Sequence, residues 1–361
     1  MPRFAITAVE ATPMPIPLRR PIASALGHYT VVDCVHVSVH TDAGLTGTGF
    51  STGLGGAASP AIAAYIRDEL APLAVGEDAL APEALWRRLW APNKARMRGG
   101  LGVWALSAID IACWDLVGMA AGLPLHTLLG GYREDVPVYG SGGWHTLSDE
   151  ELIAEATGFL DKGITAYKYK IGTPRDRERT ALLRGELGDD VVLFADANQS
   201  LGVREAVEVS RMLADSGVAW LEEPVLADSV DDLAEVAARS AVPVAAGENA
   251  YFRWGFREIC QRKAAAFLQP DVTRCGGIGE FRRIGALADA FGLALSSHLW
   301  HELSISLVGA SPSGYLAEYA ELIPPGVLTR EFPVVDGRIR VPDTPGHGVA
   351  FEPDAIRRLA A

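Results

Sequence analysis

The sequence predicts an α/β protein built as a parallel β/α barrel with a smaller α+β domain attached. Three observations carry this. From about residue 136, short apolar runs alternate with amphipathic helical segments, the signature of a parallel sheet with crossover helices. Seven or eight such units share roughly 190 residues, which favours a barrel over an open sheet. Before them, alternating strand-like runs are followed by helices, an antiparallel sheet with helices laid on it. At 361 residues the chain is long enough for both.

Near the start, "FAITAVEATPMPI" and "DCVHVSVHTDAGLTGTGFST" alternate as strands, with "TDAGLTG" as a turn. Between them "LRRPIASALGHYT", residues 18–30, shows no periodicity and reads as a long loop. "PAIAAYIRDELAPLAV", "PEALWRRLW" and "VWALSAIDIACWDLVGMAAGLP" have helical spacing, the last stopped by Gly and Pro. The barrel strands read as "VPVYGSGG", "AYKYKIG", "VVLFADANQ", "VAWLEEPV", "VPVAAGEN", "AFLQPD" and "LALSSH". Helices such as "DEELIAEATGFLDKG" and "VREAVEVSRMLADSG" lie between them. The Gly/Pro-rich "REFPVVDGRIRVPDTPGHGVAF" reads as short strands returning to the first domain. The expected divisions are residues 1–127, 128–330 and 331–361.

A formal net charge of −13 argues against nucleic acid or an anionic membrane surface as a partner. An anionic substrate would have to be attracted locally, by a metal or a few lysines. Cys34, Cys113, Cys260 and Cys275 are widely spaced with no CxxC pair, so they read as buried thiols in a reducing compartment. The N-terminus lacks the basic segment and apolar run of a signal peptide. No unbroken apolar run reaches the length of a membrane span. The expectation is a cytoplasmic protein without a membrane partner.

The informative feature is a register. Lys170, Asp196, Glu222 and Glu248 each end an apolar run, and successive members are 26 residues apart. Asp271 and His298 continue the series after 23 and 27 residues. Each group therefore takes the same place in consecutive β/α units, the C-terminal rim where barrel active sites are built. Three carboxylates on adjacent strands repel unless a cation joins them. Oxygen ligands alone select a hard ion, so Mg²⁺ on Asp196, Glu222 and Glu248 is expected.

Lys168 and Lys170 lie two residues apart in a strand and so face the same way. Beside the acids, Lys168 stays charged and binds substrate oxygen, and it lowers the pKa of Lys170 toward that of a base. On the other side, Asp271 is expected to hold one nitrogen of His298, making the other a second base.

In order and spacing, "KYK", "DANQS", "WLEEP", "GEN", "QPD" and "SSHLWHE" resemble the mandelate racemase subgroup of the enolase superfamily, over the whole chain. The resemblance implies a modified TIM barrel, (β/α)7β, with an α+β capping domain formed by the N-terminal region and the C-terminal tail. It implies Mg²⁺ on Asp196, Glu222 and Glu248, with a Lys or His base as is general in that superfamily. Lys170 would take an α-proton from one face and the His298–Asp271 dyad from the other. Glu318, in "GYLAEY", would hydrogen-bond the substrate carboxylate as a neutral acid, its pKa raised by burial near an anion. Lys168 would bind that carboxylate, and Asn198 would lie near the α-hydroxyl. A homo-oligomer, octamer or dimer, is implied as well. The lactonising and dipeptide-epimerising subgroups carry a lysine on the sixth strand. Here Asp271 stands there, followed by Arg274, whose guanidinium is too weak an acid to lose its proton and so cannot serve as the base.

The expected reaction is Mg-dependent abstraction of the α-proton of a 2-hydroxy carboxylate to a metal-stabilised enediolate. Loss of water from the β-carbon would then give a 2-keto-3-deoxy sugar acid. The alternative is a racemase or epimerase, in which the opposite base returns the proton. Residues 18–30 carry Arg19, Arg20, His28 and Tyr29, and "YGSGGWH" carries Ser141, Trp144 and His145. These polar loops favour a sugar acid over an aryl substrate, with Ser141 and His28 as substrate-binding candidates. A histidine-ligated hydrolase does not fit, because no strand end before His298 carries a histidine. A non-catalytic metal binder does not fit either, because every base and ligand position is filled.

Overall fold

Alternation of the first apolar runs produces three antiparallel strands: β1 (Ile6–Ser24), β2 (Gly27–Thr41) and β3 (Thr46–Leu54). The computed structural model describes residues 3–360. Because strand side chains alternate, β2 buries Val35, Val37 and Val39 on one face and Cys34 on the other. The first face is covered by the helix Leu101–Ala121. This helix approaches β3 so closely that a Cβ on Gly49 would meet the Ala108 carbonyl oxygen at 1.9 Å.

Residues 18–30 are not a loop. They extend the β1–β2 hairpin, pairing Ile22 with Tyr29, Ala23 with His28 and Ser24 with Gly27. A register shift between Pro17 and Ile22 breaks the ladder at the two arginines. That irregularity, together with Pro21, hides the alternation in the sequence.

The helix Leu101–Ala121 is, by length and composition, apolar enough to cross a membrane. Its most apolar stretch is 78% buried inside the protein, between the sheet and the barrel. Its two carboxylates are spent on backbone amides: Asp110 Oδ2 accepts from Gly279 N at 3.0 Å, and Asp115 Oδ2 from Thr48 N at 3.0 Å.

The barrel comprises β4 (Asp135–Ser141), β5 (Ala166–Lys170), β6 (Val192–Asp196), β7 (Val218–Glu222), β8 (Val244–Ala246), β9 (Phe267–Leu268), β10 (Ala294–Leu295) and β11 (Ala317–Tyr319). They pair in parallel in chain order, and β11 returns to β4, with Glu318 beside Tyr139. A parallel bridge between Leu295 and Gly314 closes the ring. Seven helices cross over between the strands, from Asp149–Leu160 to His301–Ala310, giving (β/α)7β. Inside, the rings of Phe194 and Trp220 stack at 3.5 Å, with Tyr139 edge-on to both. These aromatics form the floor on which the polar mouth stands.

After β11 the chain runs to β12 (Arg338–Arg340), antiparallel to β4, and then to the N-terminal sheet. There His347 donates from Nε2 to the Thr48 carbonyl at 2.7 Å, and the helix Pro353–Leu359 packs on β1. The four cysteines are free and buried.

His36 lies under the ring of Phe351, centroids 5.4 Å apart, and burial pushes its imidazole down to about 4. The unfolded chain takes this proton near pH 6.5, the folded chain only near 4. Between those values the unfolded state binds more protons, so stability falls as pH falls. From pH 7 to 4.5 this group costs about 2 kcal/mol. In urea unfolding, His36→Gln is expected to remove that part of the pH dependence. An unchanged slope would assign the acid sensitivity elsewhere.

Candidate active site

Parallel pairing aligns the strand ends. Lys170 lies opposite Asp196, and Asp196 opposite Glu222, so the sequence register becomes a row along the barrel mouth. Glu248 joins them from the turn after β8. Asp196, Glu222 and Glu248 are buried, and each offers an oxygen within 4.8 Å of the others.

Lys170 Nζ donates to Asp196 Oδ2 at 2.5 Å, at one end of the carboxylate row. Lys168 Nζ sits 2.6 Å from Glu222 Oε1, 2.8 Å from Glu318 Oε1 and 3.7 Å from Asp196 Oδ2. At the other end, His298 Nε2 is 3.2 Å from Glu248 Oε2, and its Nδ1 is 2.8 Å from Asp271 Oδ2. Both lysines thus face inward.

Burial opposes the charge on Lys168, but Glu222 and Glu318 outweigh it and hold the ammonium charged, well above the ordinary lysine range. Burial likewise opposes ionisation of Asp271, yet Arg274 and His298 keep its carboxyl below the ordinary range. His298 loses basicity by burial and more than regains it from Glu248 and Asp271.

The charges around Glu318 oppose the expected neutral form. Burial favours the acid form, but Lys168 outweighs it, with His298 and Lys170 adding, and Glu318 is held well below the carboxylate range. Its Oε2 also accepts from the Leu299 amide at 2.6 Å. Glu222 pays the electrostatic cost instead. Burial first, with Asp196 and Glu318 adding, pushes it up to about 8 despite Lys168.

Asn198 donates its amide N to Asp196 Oδ1 at 2.9 Å and its Nδ2 to Oδ2 at 3.2 Å, leaving Oδ1 buried without a partner. Ser141 lies opposite Lys168 in the ladder, and its buried Oγ also has no partner. His28 is exposed on the hairpin. There it pairs with Ala23 across the β1–β2 ladder. His145 instead ties the hairpin down, its amide donating to the Ala23 carbonyl at 2.9 Å. Trp144 lays its ring 4.9 Å from Lys170 Nζ. A cleft of about 470 Å³ runs past Ser141 and Trp144 between Arg19, Arg20 and Glu155.

Sequence reasoning missed several neighbours. Gln269 Nε2 donates to Glu222 Oε2 at 2.8 Å, and the Tyr139 ring lies 5.5 Å from Lys168 Nζ. Each stands two residues before a strand-end candidate, Asp271 or Ser141, so the period of two pointed to both. Glu223 is buried beside the row, and Asn249 Nδ2 donates to it at 2.7 Å.

An all-oxygen donor set with more buried carboxylates than ammonium groups fits a hard divalent cation, which would offset the burial and repulsion that raise Glu222. A closed parallel barrel gathering such a set at its C-terminal rim defines a metal-dependent barrel enzyme. Residues 6–130 match the mandelate racemase / muconate lactonizing enzyme N-terminal domain, and residues 151–355 the enolase C-terminal domain-like family. The chain belongs to the enolase superfamily, in its mandelate racemase subgroup.

It is 33% identical to a 3,6-anhydro-alpha-L-galactonate cycloisomerase from Streptomyces coelicolor, covering 96% of each chain. A racemase from Streptomyces coelicolor A3(2), solved with bound magnesium, superposes with a TM-score of 0.95 at 32% identity, covering 99% of this chain and 100% of that one. An L-talarate dehydratase from Polaromonas sp. JS666, in complex with Mg and L-glucarate, gives 0.92 at 31% identity, covering 99% and 98%. The protein is an enzyme, and its cofactor is Mg²⁺.

Proposed function

We propose that this enzyme removes the α-proton of a 2-hydroxy sugar acid and expels water from the β-carbon, giving a 2-keto-3-deoxy acid. One observation carries the reading: two proton-transfer groups stand at opposite ends of one carboxylate row, Lys170 at Asp196 and His298 at Glu248. Held by Asp196, Glu222 and Glu248, Mg²⁺ supplies positive charge for a substrate carboxylate whose negative charge doubles as the α-proton leaves. Lys168, fixed between Glu222 and Glu318, directs an N–H at the same charge. Glu318 serves by orienting Lys168, not by donating a proton. Either neutral His298, or neutral Lys170 with His298 already protonated, accepts the α-proton, and the C–H electron pair passes into the enediolate. Protonated His298 then gives its Nε2 proton to the β-hydroxyl, the C–O bond breaks, and the resulting enol tautomerises to the ketone.

A polyhydroxy substrate is supported by the unpartnered Ser141 Oγ and Asn198 Oδ1, buried oxygens suited to hydroxyl donors. The second reading, epimerisation, uses the same pair of bases, with the proton returned from the opposite face.

The test is incubation with Mg²⁺ and a panel of sugar acids in D₂O, following α-deuterium by NMR and 2-keto acid by semicarbazide. Exchange accompanied by keto acid is expected. Exchange with inversion and no keto acid would replace dehydration by epimerisation, and no exchange with any acid would defeat both.

A further inference from the structure

Asp271 Oδ1 accepts twice from Thr273, from its amide at 2.8 Å and its hydroxyl at 2.7 Å. Thr273 Oγ1 lies 3.2 Å from Thr52 Oγ1 of β3, and Trp300 Nε1 in turn donates to Thr52 Oγ1. The chemistry of the two ends sets the direction of this chain. An indole N–H only donates and a carboxylate only accepts. Thr273 spends its proton on Asp271, so Thr52 must donate to Thr273 and accept from Trp300. Every proton therefore points one way, from Trp300 through Thr52 and Thr273 to Asp271.

Two backbone contacts brace the same junction. Ser51 Oγ donates to the Thr273 carbonyl at 2.8 Å, and Arg274 Nε to the Thr52 carbonyl at 3.1 Å, the latter also lying 3.2 Å from Asp271 Oδ2. Thr52, Thr273 and Asp271 are buried. Immediately after His298, Leu299 and Trp300 adopt φ of 48° and 45°, a left-handed conformation that non-glycine residues hold only under constraint. The Trp300–Thr52 bond and the tilted packing of Trp300 on Phe50, centroids 4.8 Å apart, supply constraint from the N-terminal sheet.

We infer that Thr52 and Thr273 are positioning residues for the second base, so that strand β3 of the N-terminal sheet aims the His298–Asp271 dyad. This rests on the proposed role of His298. None of these bonds reaches Lys170, whose ammonium is held by Asp196 within the barrel. The chain of side-chain bonds from β3 thus reaches one base and not the other.

The test uses the full-length, Mg²⁺-loaded protein with ¹⁵N-labelled histidine, the chain having eight histidines. The Nδ1–H resonance of His298 is identified by its loss in His298→Asn. Thr273→Val and Thr52→Val are each expected to shift or broaden that resonance, and Thr273→Ser to restore it. If Thr52→Val does not fold, Trp300→Phe removes the donor at the head of the chain and is expected to act in the same direction. An unchanged resonance in Thr273→Val, or a change there with none in Thr52→Val or Trp300→Phe, would overturn the inference.

A second arm follows α-exchange from sugar acids of opposite configuration at C2. Exchange at the His298 face is expected to fall about 10–100-fold in Thr273→Val, by analogy with the hydrogen-bond partners of metal-ligating histidines. Exchange at the Lys170 face should stay within about two-fold. Equal losses on both faces would count against the inference. The imidazole signal needs no substrate, so failure of the catalytic reading and failure of this one are distinguishable.

Discussion

His298→Asn is expected to abolish keto-acid formation while leaving α-deuterium exchange at the opposite face. The imidazole carries two tasks in the proposed reaction, a proton transfer at the α-carbon from one side and delivery of a proton to the departing β-hydroxyl. Asparagine retains a donor near Asp271 but has no lone pair on nitrogen with which to carry a proton. Removing a positioned acid–base group typically costs about 10²–10⁴-fold, and here the cost should fall on elimination and on exchange at the His298 face. Lys170, at the other end of the carboxylate row, keeps its contact with Asp196. The measurement is the ratio of keto acid to exchanged substrate, taken on acids of both configurations at C2. If that ratio is unchanged, the dyad is structural and the acid must be sought elsewhere.

Lys168→Met is expected to lower the stability of the metal-free protein by about 3–5 kcal/mol, the usual cost of removing one partner from a buried ion pair. Lys168 is fully buried, and methionine roughly preserves its volume, so charge is the variable changed. Its loss leaves Asp196, Glu222 and Glu318 without their shared cation. Magnesium should narrow the deficit, because the variant's uncompensated carboxylates bind the cation more tightly than those of the parent and gain more folded-state stability from it. The sign with pH is also defined. The folded pKa of Lys168 is raised, so its contribution is fully present below the unfolded value near 10.4 and is lost only as pH climbs through the folded value. Urea unfolding with EDTA and with excess Mg²⁺ tests this. A deficit that magnesium leaves untouched would locate the effect in packing.

Much of the site was legible because the barrel repeats. A β/α unit of constant length places chemically active residues at constant spacing, so Lys170, Asp196, Glu222 and Glu248 could be aligned before any coordinates. Lys168 followed from the period of two. The hairpin at residues 18–30 was not legible, because its ladder slips between Pro17 and Ile22 and its exposed positions impose no apolar alternation. The ionised state of Glu318 was hidden for a different reason. Burial alone argues for a proton, and the opposing charge belongs to Lys168, which reaches Glu318 only because β11 closes against β4. Likewise, nothing local to Thr52 marks it. Its partners come from a loop of the barrel more than two hundred residues away in the chain.

That closure has a consequence for how the enzyme comes into being. A ribosome delivers the three carboxylates long before it delivers β11, and a parallel strand pair with a long intervening chain is slow to form. Until Tyr139 and Glu318 are neighbours, Lys168 has one flank open and the ring has two free edges. The half-made barrel therefore exposes unpaired backbone and an acidic rim, and only about the last eighth of the chain completes the lysine's surroundings. Ring closure thus marks a point in biosynthesis: a truncated chain lacking β11 would contain every metal ligand and still lack the finished anion-binding cage.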